Sequence, residues 1–166
     1  MPITDTDRLR ANVLALTEQY GCNRSALIPI LQEVKKAECG IDSEAMQLIA
    51  DVLDIHPVEV HSVASFYAFL QPELQGRYII RLCRTLSCDL QGKDAVATAL
   101  QEELGIGFNE TTPDGVFTLE WAACMGMCDQ GPAMLVNDTV YTRLTPAKVA
   151  EVIKECRTSL NAEVRA

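Results

Sequence analysis

Four of the seven cysteines fall in two short runs, Cys83-Arg84-Thr85-Leu86-Ser87-Cys88 and Cys124-Met125-Gly126-Met127-Cys128. Four thiolates brought to one point would bind metal, and three chemistries can use such pairs. Tetrahedral zinc accepts four thiolates, but zinc knuckles most often separate each pair by two residues, whereas the spacers here are four and three. A [2Fe-2S] cluster also needs four thiolates, two on each iron, and wider loops suit an object larger than one ion. A redox disulfide is the third option, although thioredoxin-type pairs use a two-residue spacer at a helix start.

The residues before each pair say how they would be positioned. Arg77-Tyr78-Ile79-Ile80-Arg81-Leu82 is rich in β-branched and aromatic residues and delivers Cys83 where a strand would end. Val116-Phe117-Thr118-Leu119-Glu120-Trp121 alternates in the same way and leads to Cys124, with Gly126 in the loop that follows. Neighbouring strands would then hold two cysteine loops side by side at one edge of a sheet. Cys22, Cys39 and Cys156 stand alone and read as small packing residues. His56 and His61 lack a metalloprotease spacing and read as cap or surface residues. Met125 and Met127 flank the last thiols and would shield whatever they bind.

The run from Cys83 to Cys128, with Thr111-Thr112-Pro113-Asp114-Gly115 before the second strand and Gly131-Pro132 after the last cysteine, resembles the thioredoxin-like [2Fe-2S] ferredoxin subunit of NADH dehydrogenases. That family includes the small E-type partner of the flavoprotein in respiratory complex I and the corresponding subunits of NAD-linked and electron-bifurcating hydrogenases and formate dehydrogenases. The helical half resembles it too, in Ala26 to Val34 and Val60 to Tyr67, so the likeness covers about residues 20 to 155. The resemblance implies one [2Fe-2S] cluster on Cys83, Cys88, Cys124 and Cys128, beside the FMN of a partner flavoprotein that binds NAD(P)H. It also implies that the N-terminal helices pack on that flavoprotein, with further iron-sulfur, hydrogenase or formate dehydrogenase subunits beyond. The wording Cys128-Asp129-Gln130-Gly131-Pro132 is closer to the hydrogenase-type relatives.

Taken in order, the chain reads as α+β: a bundle of short helices over residues 1–72 and a thioredoxin-like domain over residues 73–166. Asp5 or Thr6 can cap a first helix with Leu9, Val13 and Leu16 on one face, stopped by Gly21. Ser25 can cap a second helix with Leu27, Leu31 and Val34 inward, and Ser43 can begin a third with Ala45, Leu48, Ile49 and Val52. Pro57 suits the first position of a fourth carrying Val60, Val63 and Phe66. Pro72 and Gly76 mark a polar break. In the second domain Asp94 can cap a helix ending at Gly105. Ala133 to Val136 and Val140 to Thr142 form a hairpin, and Thr145-Pro146 opens a last helix with Val149, Val152 and Ile153 inward. A cis peptide at Gly131-Pro132 would suit the thioredoxin-like order.

Composition excludes other classes. With 166 residues, 48% of them hydrophobic, the chain can bury a core, and no apolar run approaches a bilayer span. Residues 1–6 have neither a basic start nor an apolar core, so the expectation is a cytoplasmic protein whose thiols stay reduced. The 23 acidic residues against 14 basic ones, a net charge of −9, leave no basic face for nucleic acid. No G-x-G-x-x-G loop is present, so NAD(P) and FMN are expected on a partner. The rival function is a zinc-stapled interaction module, whose thiolates would only stabilise the fold.

Overall fold

The structure is a computed structural model that describes residues 5–70 and 72–163. The chain falls into two compact units, Met1–Leu74 and Gln75–Ala166.

The first unit contains α1 (Asp5–Tyr20), α2 (Leu27–Glu38), α3 (Ser43–Leu53) and α4 (Pro57–Phe66). Their stripes meet in one core in which Val13, Ile30, Leu31, Val34, Ile41, Ile49, Val60 and Leu70 are fully buried. Each such side chain contributes about 1.5–3 kcal/mol over its exposed state. Short helices of this kind are marginal alone, so the shared core is what keeps them folded. The expected helix boundaries hold within a few residues, but one cap differs. Asn23, not Ser25, receives the first amide, from Ser25 at 3.0 Å, and holds a 3-10 turn over Arg24–Ala26 ahead of α2. α3 begins at Ser43 as expected, with Asp42 before it accepting the Ala45 amide at 2.7 Å. Ahead of α2, the short polar side chain two residues upstream of Ser25 had the better reach to the orphan amides. The side chains of Asp5 and Thr6 lie outside the described residues. Phe66, expected on the buried stripe, is instead 79% exposed. The helix ends there, so its last side chain has passed beyond the core that Val60 and Ala64 share.

The second unit is a five-stranded sheet carrying α5 (Leu86–Asp89), α6 (Lys93–Leu104) and α7 (Pro146–Glu163). Its strands are β1 (Tyr78–Cys83), β2 (Glu110–Thr111), β3 (Phe117–Ala122), β4 (Met134–Val136) and β5 (Thr139–Tyr141), in the order β2-β3-β1-β4-β5. β1 and β3 are parallel, and the chain between them passes through α6, as a parallel pair requires. Alternate residues Ile80 and Leu82, Phe117 and Leu119, and Met134 and Val136 enter one core with Leu100 of α6 and Val149 and Ile153 of α7. This is the period-two pattern of a sheet face packed on helices. Between these positions Arg81 and Glu120 lie directly opposite on β1 and β3, and Arg81 Nε donates to Glu120 Oε2 at 2.9 Å. The two-residue β2 was not expected; it is exposed and too short to show an alternation, and only its pairing with β3 identifies it. Gly92, not Asp94, occupies the N-cap position of α6, while Gly105 closes that helix in the left-handed conformation as expected. Gly131-Pro132 is cis.

Candidate metal centre

Parallel register brings the two cysteine runs together. β1 and β3 align Tyr78 with Phe117 through to Cys83 with Ala122, so the two strands end at the same level. The Arg84 amide donates to the Ala122 carbonyl at 3.0 Å and extends the ladder past the strand ends. The loops therefore emerge at the C-terminal end of two central strands. The two loops lie side by side, as expected of neighbouring strands, with the unexpected β2 flanking β3 and the expected β4-β5 hairpin flanking β1.

In the first loop Cys83 ends β1 and Cys88 sits in the single turn of α5; both are buried. In the second, Cys124 and Cys128 are exposed, with their sulfurs 3.4 Å apart, well beyond a disulfide bond length of about 2.05 Å. All seven cysteines are free thiols. Gly126, at φ +82°, turns the second loop tightly enough for its amide to point at Cys124 Sγ, 3.4 Å away.

Contacts across the site tie the pairs to one another. Cys83 Sγ lies 3.2 Å from Thr85 Oγ1. Burial works against the Cys83 thiolate, but hydrogen bonding from the Thr85 hydroxyl and amide, from Cys88 and from the Met125 amide outweighs it and holds the thiol below its ordinary pKa. Cys88 is pushed up, first by burial and then by its hydrogen bond to Cys83, against the opposing effect of the Ala133 amide. Cys128 is also raised, chiefly by Cys124, with the Ser87 hydroxyl opposing. Met125 of the second loop thus reaches a sulfur of the first, and Ser87 of the first reaches a sulfur of the second. Ala133 forms a further wall, since its carbonyl accepts the Cys83 amide at 3.1 Å.

The four expected cysteines lie in the two loops at this end of the sheet, Cys83 hydrogen-bonded with Cys88 and Cys124 beside Cys128. Among the described residues no group of three or more His, Cys, Asp or Glu side chains is arranged to hold a metal ion. Two pairs of thiols are the donor set that two irons would take. The other sequence candidates lie apart. Cys22 is exposed, Cys39 sits in a left-handed C-cap of α2, and Cys156 is buried in the core of the second unit. His56 precedes α4 and makes no side-chain cap bond, and His61 lies exposed on that helix. Met125 and Met127 are half-buried. Thr85, Ser87, Gln91 and Ala133 were not singled out. A hydroxyl two residues after a candidate ligand was the one usable signal; the others act through backbone groups or across distant segments.

The model of the thioredoxin-like [2Fe-2S] ferredoxin family matches residues 13–157. The chain belongs to that family. It is 35% identical over 147 residues to the NAD-reducing hydrogenase HoxS subunit alpha of Cupriavidus necator, an alignment that covers 89% of this chain and 24% of that one. It is 34% identical to an E-type subunit of NADH-quinone oxidoreductase from Rhizobium meliloti, over 90% of this chain and 89% of that one. A crystal structure of an NAD+-reducing [NiFe]-hydrogenase superposes with a TM-score of 0.70 and 27% identity, covering 80% of this chain and 23% of the other. This ferredoxin chain thus spans about a quarter of the hydrogenase chains it matches and most of the quinone oxidoreductase subunit. The cofactor that names the family is a [2Fe-2S] cluster, and the all-sulfur, two-pair donor set fits it. Among the described residues no helix is long and apolar enough to cross a membrane.

Proposed function

We propose that this ferredoxin is an electron-transfer subunit that holds one [2Fe-2S] cluster on Cys83, Cys88, Cys124 and Cys128. The observation that carries the reading is that four free thiols, as two pairs, lie in the loops that leave the shared end of β1 and β3. When bound, the cluster supplies a one-electron carrier. The protein supplies four sulfur donors, the Thr85 hydroxyl and the Gly126 amide aimed at ligand sulfur, and burial of Cys83 and Cys88 away from water. Donors aimed at sulfur stabilise negative charge there, which is how such sites raise a potential.

The flavin and the nicotinamide belong to a partner in this reading. The chain carries no glycine-rich nucleotide loop, and its relatives in Cupriavidus and Rhizobium are subunits of NAD-reducing hydrogenase and NADH-quinone oxidoreductase. We assign FMN and NAD(P) binding to a flavoprotein subunit and a cytoplasmic setting to the complex. Within the helical unit, Phe66 stands out from the surface with its ring edge-on to Tyr67 at 5.0 Å, and Phe69 is also exposed. Such a group is suited to burial against the flavoprotein.

Anaerobic isolation tests the assignment. The full chain is expected to contain about two irons and two acid-labile sulfides and to show a rhombic paramagnetic signal after dithionite reduction. Without its partner it is expected to oxidise no NADH, with or without added FMN. Stoichiometric zinc with no sulfide would establish the structural-module reading in its place, and rapid NADH oxidation by the chain alone would refute the division of labour.

A further inference from the structure

Gln91 stands just after the first cysteine loop and reaches the second. Its backbone amide donates to the Cys88 carbonyl at 3.2 Å, which anchors its main chain to the first loop. Its side-chain nitrogen donates to the Ser87 carbonyl at 2.7 Å and to the Cys128 carbonyl at 2.9 Å. A primary amide carries two hydrogens, enough for both bonds. The acceptors are the residue immediately before Cys88 and Cys128 itself. One side chain therefore joins the backbone at one thiol of each pair, whereas the ladder bond from Arg84 to Ala122 joins the loops only at their base.

A second observation concerns the space this amide occupies. Gly131 has φ −69° and ψ 167°, a conformation open to any residue, so backbone strain does not require a glycine there. A Cβ at that position, however, would lie 2.8 Å from Gln91 Nε2, 3.1 Å from its Cδ and 3.2 Å from its Oε1. The missing side chain at 131 is the room through which the Gln91 amide crosses.

We propose that Gln91 is a positioning residue of the metal centre, a clasp between the loops that sets the separation of Cys88 and Cys128 and so of the two thiolate pairs. The proposal rests on the assignment of the four cysteines as ligands. A plain helix-end role would need only the bond to Ser87, whose carbonyl belongs to the turn of α5. The bond to Cys128 and the glycine at 131 serve the crossing.

The test uses the full chain carrying its cluster, with iron release to a ferrous chelator and the paramagnetic signal of the reduced cluster as readouts. Gln91→Leu keeps the bulk and removes both donors; Gln91→Glu keeps the shape and sets a carboxylate against two carbonyls. Both are expected to release iron about tenfold faster, the order of effect of a lost hydrogen bond on loop ordering, and to shift or broaden the g-values. Gly131→Ala displaces the amide without touching Gln91 itself and is expected to give the same phenotype. The double variant Gln91→Ala with Gly131→Ala is expected to be no worse than Gln91→Ala alone, because both changes break the same clasp. Release within about twofold of the parent with unchanged g-values in Gln91→Leu would overturn the proposal, as would additive effects in the double variant. An error in the ligand assignment shows separately, as cluster retained when the four cysteines are replaced one at a time.

Discussion

Replacing Cys83, Cys88, Cys124 or Cys128 singly by serine is expected to take the iron content from about two per chain to near zero, or to bleach and shift the visible spectrum strongly. A serine oxygen is a harder and poorer donor than a thiolate for these irons, and the loss of one of four donors leaves one iron open. Cys22→Ser, Cys39→Ser and Cys156→Ser are expected to leave the spectrum and the iron and sulfide counts unchanged. Cys156 is the demanding control. It is buried in the core of the ferredoxin unit, so its serine variant places a hydroxyl among apolar neighbours and lowers stability by about 1–3 kcal/mol while leaving the donor set intact. Spectra, iron and sulfide measured on the seven variants under one anaerobic protocol decide the matter. Loss of the cluster from any of the three controls, together with its retention in any of the four, would show that the ligands have been misassigned.

Gly76→Ala is expected to cost about 3 kcal/mol, more than a surface glycine substitution has any reason to cost. The Gly76 amide donates to Thr118 Oγ1 at 2.6 Å, and the backbone of Phe117 runs so close that an added Cβ would sit 2.6 Å from its carbonyl carbon and 2.8 Å from its nitrogen. These are backbone atoms of a central strand, which cannot swing aside as a side chain can, so either the entry to β1 or β3 itself must shift. Gly107→Ala is the internal comparison. The atoms nearest to its Cβ would be those of the side chain of exposed Glu110, the first at 3.3 Å, and the expected change is under about 1 kcal/mol. The single tryptophan, Trp121, lies on β3 of the same unit, so its fluorescence during urea unfolding reports the relevant transition. Equal midpoints for the two variants would remove the argument from close backbone approach.

Gly76 also shows where reading the sequence stops. In the sequence it stands beside Pro72 in a polar stretch and looks like punctuation between units; in the structure its hydrogen atom is a packing requirement set by a strand about forty residues away. The helix caps repeat this on a smaller scale. Ser25 and Asp94 are good capping residue types, yet Asn23 and Gly92 take the cap positions, because the choice depends on which backbone turn forms and not on type alone. Phe66 follows the helical period of α4 and is still exposed, since period identifies a face but not the extent of the core beneath it.

The features legible from residue order are local in their physics. The donor atoms are thiols whatever the fold, and their spacers set the size of object each loop can embrace. The β-branched run ahead of Cys83 and the alternation ahead of Cys124 call for strands that lead into the two cysteine pairs. The 3.6-residue stripes from Leu27 to Val34 and from Val149 to Ile153 call for helices that must find a partner face. It took folding to make β1 and β3 parallel neighbours in a register that levels their ends, to bury Cys83 and Cys88 while leaving Cys124 and Cys128 exposed, and to complete the centre with Thr85, Ala133 and Gln91. The reason is the nature of those contacts. A hydrogen bond accepted by a backbone carbonyl, such as that of Cys128 with Gln91, can be made to any residue type, so it leaves no mark in the sequence until folding brings segments 37 residues apart within 2.9 Å.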